Sequence, residues 1–295
     1  MDSRVESYQQ FLSQQQLPEA YVTAAEAWFT PAVEAIVAYQ RAVDRTIIVG
    51  INGSQGSGKS TLTAYLALAL QQRQLSSATL SLDDFYLSSR ARQQLAKQIH
   101  PLLQTRGVPG THDMSLAHTL LQQLSRLGEV RLPRFDKRCD NPFAVSEWPQ
   151  QTTPVGVVLF EGWCWGTPPQ SQAELVQPLN RLEAQEDSDG VWRHYVNHQI
   201  AVAYEPLYQQ CDIWLMLQAP SFETVYGWRM EQEQKLAAKT GVSTPLLQPT
   251  AMERFIHHYQ RLTEHALRQL PARCHFCYAL NESRQISHCD TNRPL

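Results

Sequence analysis

The sequence predicts an α/β fold, a doubly wound and mainly parallel sheet, on three observations. Short apolar, β-branched runs alternate with stretches of helical periodicity along the chain, the pattern of βα units rather than of a sandwich. The first clear run, residues 46–51, passes directly into a glycine-rich turn and then a helical stretch over 61–70, the order in which a buried parallel strand meets its crossover helix. Acids and cations follow the strands, and the carboxyl ends of strands in such a sheet line the ligand crevice.

The elements follow in order. Residues 19–43 carry Tyr21, Ala24, Ala25, Trp28, Val33, Ile36, Val37 and Val43 at helical spacing. Pro31 within them predicts two helices or one kinked helix. Residues 1–44 are thus expected as a helical N-terminal extension packed on the core, and residues 45–295 as the main domain. A second strand is expected at 78–82, then a polar stretch to about residue 112. Asp113 is placed to cap a helix whose apolar face is Leu116, Leu120, Leu121, Leu124 and Leu127. Residues 130–132 read as a short extended piece, and 155–160 and 212–217 as buried strands. The acidic segment 183–190 reads as a solvated loop or insertion tip. A helix is expected from Ser221 to a stop at Gly241. Thr250 and Glu253 match a capping box that opens a helix bearing Phe255, Ile256, Tyr259 and Leu262. No internal repeat is present.

At 295 residues the chain is long for one domain but fits one α/β domain with insertions. A net charge of −3 and a pI near 6.4 give no electrostatic footprint for nucleic acid or anionic membrane. No apolar run approaches the roughly 18 residues of a membrane span, and the N-terminus lacks the basic and apolar regions of a secretion signal. The six cysteines are expected as free thiols in a reducing cytoplasm. Cys274, Cys277, His288 and Cys289 offer four potential zinc ligands. No second C-x-x-C makes that spacing specific, and the intervening Tyr278, Ala279, Leu280 and Ile286 look like strand. A final strand with incidental thiols is the better reading, with metal binding left open.

Residues Gly53, Ser54, Gln55, Gly56, Ser57, Gly58, Lys59 and Ser60 complete a G-x-x-x-x-G-K-S motif in the strand–loop–helix context that it requires. Glycines let the backbone wrap a triphosphate, so that successive N–H groups and the helix N-terminus, with Thr61 in its first turn, face the anion. Lys59 is placed for the β- and γ-phosphates and the Ser60 hydroxyl for Mg²⁺. The fold expected is therefore that of a P-loop NTPase, with ATP and Mg²⁺ as cofactors.

Phosphoryl transfer needs a metal, cations on the migrating group and a residue to position and deprotonate the acceptor. Asp83, just past the second strand, is placed to take a proton from an acceptor hydroxyl, while its neighbour Asp84 is the better cap. Glu161 follows the strand at 155–160, near the expected metal shell. Arg229, in a lid region of about 221–246, is placed to close over the phosphates. Tyr86, Arg106, His112 and Lys137, the last flanked by Arg134 and Arg138, are the candidates for the acceptor, its anionic groups meeting the cations among them.

These segments resemble the D-glycerate 3-kinase family of P-loop kinases, which is close to uridine kinase, phosphoribulokinase and bacterial pantothenate kinase. The resemblance runs from about residue 20 to 285. It rests on residues 49–61, 83–86 (D-D-F-Y), 106–113 (R-G-V-P-G-T-H-D), 135–137, 160–163, 178–180, 195–197 and 220–229. It implies that Asp83 is the general base and that Glu161 lies near the metal. At residues 140–142 the chain reads Asp-Asn-Pro, where the family pattern often continues with an acid–arginine pair. The resemblance implies an ATP-dependent kinase for a small hydroxylated acid, with D-glycerate converted to 3-phosphoglycerate as the leading reaction. The alternatives are the same chemistry on a nucleoside, sugar or pantothenate-like alcohol, or a regulatory nucleotide-binding NTPase. Against a guanine-nucleotide switch, none of the five lysines follows an asparagine, so an N-K-x-D segment is absent.

Overall fold

The computed structural model describes residues 3–241 and 244–294. Its central sheet has six strands: β1 Ile47–Gly53, β2 Ser77–Ser81, β3 Val157–Gly162, β4 Ile213–Gln218, β5 Phe276–Leu280 and β6 Ile286–Asp290. Their spatial order is β6–β5–β4–β1–β3–β2. All neighbours are parallel except β5 and β6, which form a closing antiparallel hairpin. Every residue of β1 and β3 is buried, which is why both read as continuous apolar runs rather than alternating ones. The register sets Ile51 and Ser81 on either side of Glu161, so the ends of β1, β2 and β3 meet at one rim.

Helices cover both faces. The first are α1 Ser3–Gln15, α2 Ala20–Val43, α3 Lys59–Gln71, α4 Ser89–Gln98 and α5 Met114–Leu124. The longer later ones are α6 Arg181–Glu186, α7 Val191–Gln199, α8 Phe222–Thr240 and α9 Pro249–Gln269. Helix α3 buries Leu62, Tyr65, Leu66, Ala69 and Leu70. Each such leucine contributes about 1.5–3 kcal/mol through burial, and truncating fully buried Leu66 to Ala would cost about 2–5 kcal/mol. The N-terminal helices join this layer through Phe11 and Phe29, whose rings meet Tyr65 at 6.2 and 5.8 Å. Phe29 also meets Tyr278 of β5 edge-on at 4.9 Å.

Residues Ala20–Val43 form a single helix, one of the two alternatives expected there, while several other expectations are corrected. Helix α2 is one element with Pro31 inside it. A proline in a helix interior costs about 3 kcal/mol, which the buried face formed by Ala25, Phe29, Ala32, Val33, Ile36 and Val37 offsets. The polar stretch after β2 contains α4, capped by the Ser88 hydroxyl, which accepts from the Ala91 N–H at 3.2 Å. Its one buried residue is Arg92, so it has no apolar stripe to reveal it. Asp113 does cap α5, accepting from the Leu116 N–H at 2.9 Å, but the helix ends at Leu124 and leaves Leu127 92% exposed. Residues 183–190 are not a solvated tip: Glu183 and Asp187 are buried, paired with Arg261 and Arg193. Helix α9 starts at Pro249 with Gln248 as its N-cap, so Thr250 lies in the first turn and opens no capping box.

The C-terminal cysteines lie on and beside the β5–β6 hairpin, Cys277 opposite Asp290 and Cys289 opposite Tyr278. Among the described residues, the set of three potential metal ligands that converges is instead His100, Asp187 and Asp189. No helix among them is long and apolar enough to cross a membrane.

Candidate active site

The phosphate loop is built where β1 hands over to α3. Gly58 is the N-cap of α3 with φ 91°, a left-handed conformation that L side chains rarely adopt. Gly56 has φ 78°, and a Cβ there would lie 2.8 Å from the Cβ of Trp228, so the loop packs too closely on α8 for any side chain. The hydroxyls of Ser54 and Ser57 and Oε1 of Gln55 are buried without a protein partner among the described residues. The two serine hydroxyls can donate and, with the N-terminus of α3, suit an oxyanion, whereas the Gln55 oxygen can only accept.

Across the strand ends stands Glu161, 4% exposed. Its Oε1 accepts from the hydroxyls of Ser60 at 2.8 Å and Ser81 at 2.9 Å, while its Oε2 is buried with no partner among the described residues. A carboxylate oxygen withdrawn from water requires a cation or a donor. One unpartnered carboxylate oxygen beside a serine hydroxyl is the hard-oxygen donor set that Mg²⁺ favours, so these residues fit the ion.

Asp83 lies in a 3₁₀ turn, Leu82–Phe85, that directly follows β2. Tyr86 donates its hydroxyl to Oδ1 at 2.8 Å and Lys137 its ammonium to Oδ2 at 2.5 Å. Burial pushes the Asp83 pKa up, but Lys137 and then Lys59 outweigh it, and the value falls to about 2. Asp84 acts as a brace: its carboxylate accepts from the Phe135 N–H at 3.1 Å and from Arg134 at 3.4 Å. That brace carries the following segment, and with it Lys137, to Asp83.

The loop bearing Arg106 is brought to the same place by a short ladder. Leu87 N–H donates to the Thr111 carbonyl and Asp113 N–H to the Phe85 carbonyl, at 2.9 and 2.7 Å. Trp163 Nε1 donates to the Gly107 carbonyl at 3.0 Å and the Tyr259 hydroxyl to the Arg106 carbonyl at 3.2 Å. Lys59, Ser60, Asp83, Tyr86, Arg106, Lys137, Glu161 and Arg229 all line one cleft of about 1050 Å³. Arg229 reaches it from α8, paired with Glu233 and lying 5.3 Å over the Phe255 ring. A separate cavity of about 430 Å³, beside Trp214 and Leu270, contains none of these residues.

His112 is the exception among the expected acceptor residues. It is 5% exposed, stacks behind Tyr86 at 4.5 Å, and its Nδ1 lies 2.6 Å from the Tyr204 hydroxyl. Burial pushes its pKa down to about 3 against the opposing effect of Asp83. It is therefore a neutral support beneath Tyr86 rather than a cation for the acceptor. Sequence reasoning also missed residues that the fold delivers to the cleft. Arg92 and Asp140 line its wall. Arg284, at a positive φ in the β5–β6 turn, donates to the Gly56 carbonyl at 2.9 Å and pairs with Glu231 of α8 at 2.5 Å. No local signal marks Arg92 or Arg284, because the contacts that tie them to the site, with Asp140 and Gly56, span 48 and 228 residues. Ser81 was missed as well, and what brings it to the site is its register opposite Glu161 at the end of β2.

No family model matches the chain. It is 34% identical over 228 residues to an uncharacterized kinase of Schizosaccharomyces pombe, mug58, covering 73% of this chain and 79% of that one. It is 31% identical over 202 residues to the chloroplastic D-glycerate 3-kinase of Arabidopsis thaliana. That match takes in 63% of this chain and spans 41% of the length of the plant protein. Among solved structures, D-glycerate 3-kinase from Cryptococcus neoformans var. grubii superposes with a TM-score of 0.72 at 26% identity, over 88% of this chain and 96% of that one.

Proposed function

The chain belongs to the D-glycerate 3-kinase family of P-loop kinases, and from that premise we propose that D-glycerate is its acceptor, converted to 3-phosphoglycerate, with Mg²⁺ as the metal. It is an ATP-dependent kinase, a phosphotransferase to an alcohol group of a small molecule. The observation that carries the acceptor reading is the shared cleft, in which Asp83, Lys137 and Arg106 line the same space as Lys59 of the phosphate loop. A hydroxy acid presents a nucleophilic oxygen and a carboxylate, and these groups answer both.

In the proposed reaction the backbone of residues 53–61 and Lys59 hold the β- and γ-phosphates, and Arg229 adds a positive charge from the lid helix. Ser60 and Glu161 hold Mg²⁺, which when bound screens the charge on the transferring phosphoryl group. Lys137 and Arg106 pair with the acceptor's carboxylate, since an unpaired anion leaving water is costly. As Lys137 turns to the acceptor, Asp83 loses the ion pair that depresses its basicity. It then accepts the proton as the hydroxyl oxygen bonds to the γ-phosphorus and the bond to ADP breaks. A loose transition state makes little demand on the base until late in the transfer, so a carboxylate suffices.

The proposed organisation is a helical extension over residues 1–44 and a kinase domain over 45–295, with a lid at about 221–246; residues 1–2, 242–243 and 295 of these spans lie outside the described residues. The proposed setting is the reducing cytoplasm, supported by six cysteines that are all free. The test is ADP release from ATP and Mg²⁺ across D-glycerate, glycerol, nucleosides and pantothenate. Release stimulated by D-glycerate above the rest is expected; equal or greater stimulation by a neutral alcohol overturns the acceptor.

A further inference from the structure

Arg106 is held on three sides. The Tyr259 hydroxyl takes its carbonyl, and its guanidinium lies 5.6 Å over the Phe135 ring. Its Nη1 donates to Oδ1 of Asp140. Asp140 has φ 54°, a left-handed backbone that a non-glycine residue adopts at some strain. Its Oδ2 lies 2.5 Å from Nη2 of Arg92. Arg92 is 2% exposed. Its Nε and Nη1 donate to the carbonyls of Leu87 and Gln104 at 3.1 and 2.6 Å, and its Nη2 also to that of Asp140 at 3.2 Å.

The two arginines therefore differ in what they have left to give. All three nitrogens of Arg92 already donate within the wall, so it serves as an anchor. Arg106 has no protein partner for Nε or Nη2 among the described residues, and it lines the cleft. An acid in an anion site would by itself repel the ligand, but Arg92 balances the charge of Asp140 and leaves Arg106 in excess. Ordering a long side chain before the ligand arrives also removes that cost from binding.

We propose that Asp140, anchored by Arg92, is a positioning residue that fixes the Arg106 guanidinium for a forked grip on the acceptor's carboxylate. This rests on the hydroxy-acid reading of the acceptor and adds to it the device that selects the acid. Alignment of the planar fork ahead of binding matters because both of its hydrogen bonds must form together. A neutral alcohol gains nothing from it, so the device separates D-glycerate from glycerol, in which hydroxymethyl replaces carboxylate.

The experiment is steady-state kinetics with D-glycerate, glycerol and ATP each varied, for wild type, Asp140→Asn, Asp140→Gly, Arg106→Ala and Arg106→Ala with Asp140→Asn. Asp140→Gly also relieves the positive φ, so it keeps the wall foldable if the amide variant does not. Either substitution is expected to raise KM for D-glycerate about tenfold while KM for ATP and kcat stay within about twofold. The preference for D-glycerate over glycerol should fall by the same factor. In the Arg106→Ala background, Asp140→Asn should add nothing, because it acts through Arg106. A lower KM for D-glycerate, an equal rise for ATP, or full additivity with Arg106→Ala overturns the assignment. A wild type that does not prefer D-glycerate to glycerol removes the hydroxy-acid reading itself, and the inference with it. A preference that survives Asp140→Gly intact removes only the role of Asp140.

Discussion

At the nucleotide end of the cleft, one unbroken segment, residues 53–61, supplies the backbone cradle, Lys59 and Ser60. At the proposed acceptor end, Asp83, Arg106 and Lys137 come from three separate loops, and each is tied to another segment: Asp83 to Lys137, Arg106 to Asp140 and, through the Asp84 brace, the stretch leading to Lys137 to the turn after β2. The first end is fixed by local backbone geometry, a glycine at φ 91° and the start of a helix. The second depends on ion pairs and on loops laid side by side. A local device has a signature that can be read along the chain, whereas a distributed one has none. Acceptor chemistry should therefore be separable from nucleotide chemistry by mutation.

The largest expected effect lies at the nucleotide end. Lys59→Ala should lower kcat by about 10⁴-fold, since the γ-phosphate loses its fixed cation. The melting temperature should hold, because the ammonium serves no core contact; substantial turnover in the folded variant would break the comparison at its firmer side. Next in size, Asp83→Asn should lower kcat by about 10²–10⁴-fold with ATP affinity unchanged, the share of a general base. Should Asp84→Asn carry that loss instead, the base lies one residue later and the brace has been misassigned.

A smaller effect is expected from Arg106→Ala and Lys137→Ala. Each should raise KM for the acid about 10–100-fold, in line with a charge-assisted hydrogen bond of about 1.5–3 kcal/mol, with little change in KM for ATP. Arg106→Lys should also be impaired, since a point charge cannot reproduce a fork. Equal damage to both KM values would mean that the two ends are one site.

The smallest effect is a shift in pH dependence. Because the Asp83 pKa is depressed to about 2, the carboxylate is ionised throughout the working range. Its contribution to stability is present above the unfolded value of about 3.9 and is lost as pH falls through about 2. Wild-type kcat/KM should therefore show no acidic limb from Asp83 above about pH 4. Lys137→Met removes the larger of the two cations opposing burial and should move that limb upward. An unchanged profile would show that Lys137 does not set the charge state of Asp83.

Most of the sheet was legible because strands buried on both faces read as near-continuous apolar runs, as residues 47–51, 157–160 and 213–217 do. The helix of residues 89–98 was not, since its buried residue is an arginine that no hydrophobic period marks. The acidic stretch at 183–190 misled for the converse reason. Charge alone reads as solvated, but Glu183 and Asp187 are buried against arginines distant in sequence or across a turn.

The phosphate loop, the α/β class and the acids that close the second and third strands each follow from neighbours along the chain. The position of neutral His112 behind Tyr86 and the reach of Lys137 to Asp83 come from packing across the fold. So do the hold of Arg92 and Asp140 on Arg106 and the grip of the last hairpin's turn on the phosphate loop through Arg284. Charge state and aim depend on burial and on partners across the fold, and a residue's own neighbours along the chain specify neither.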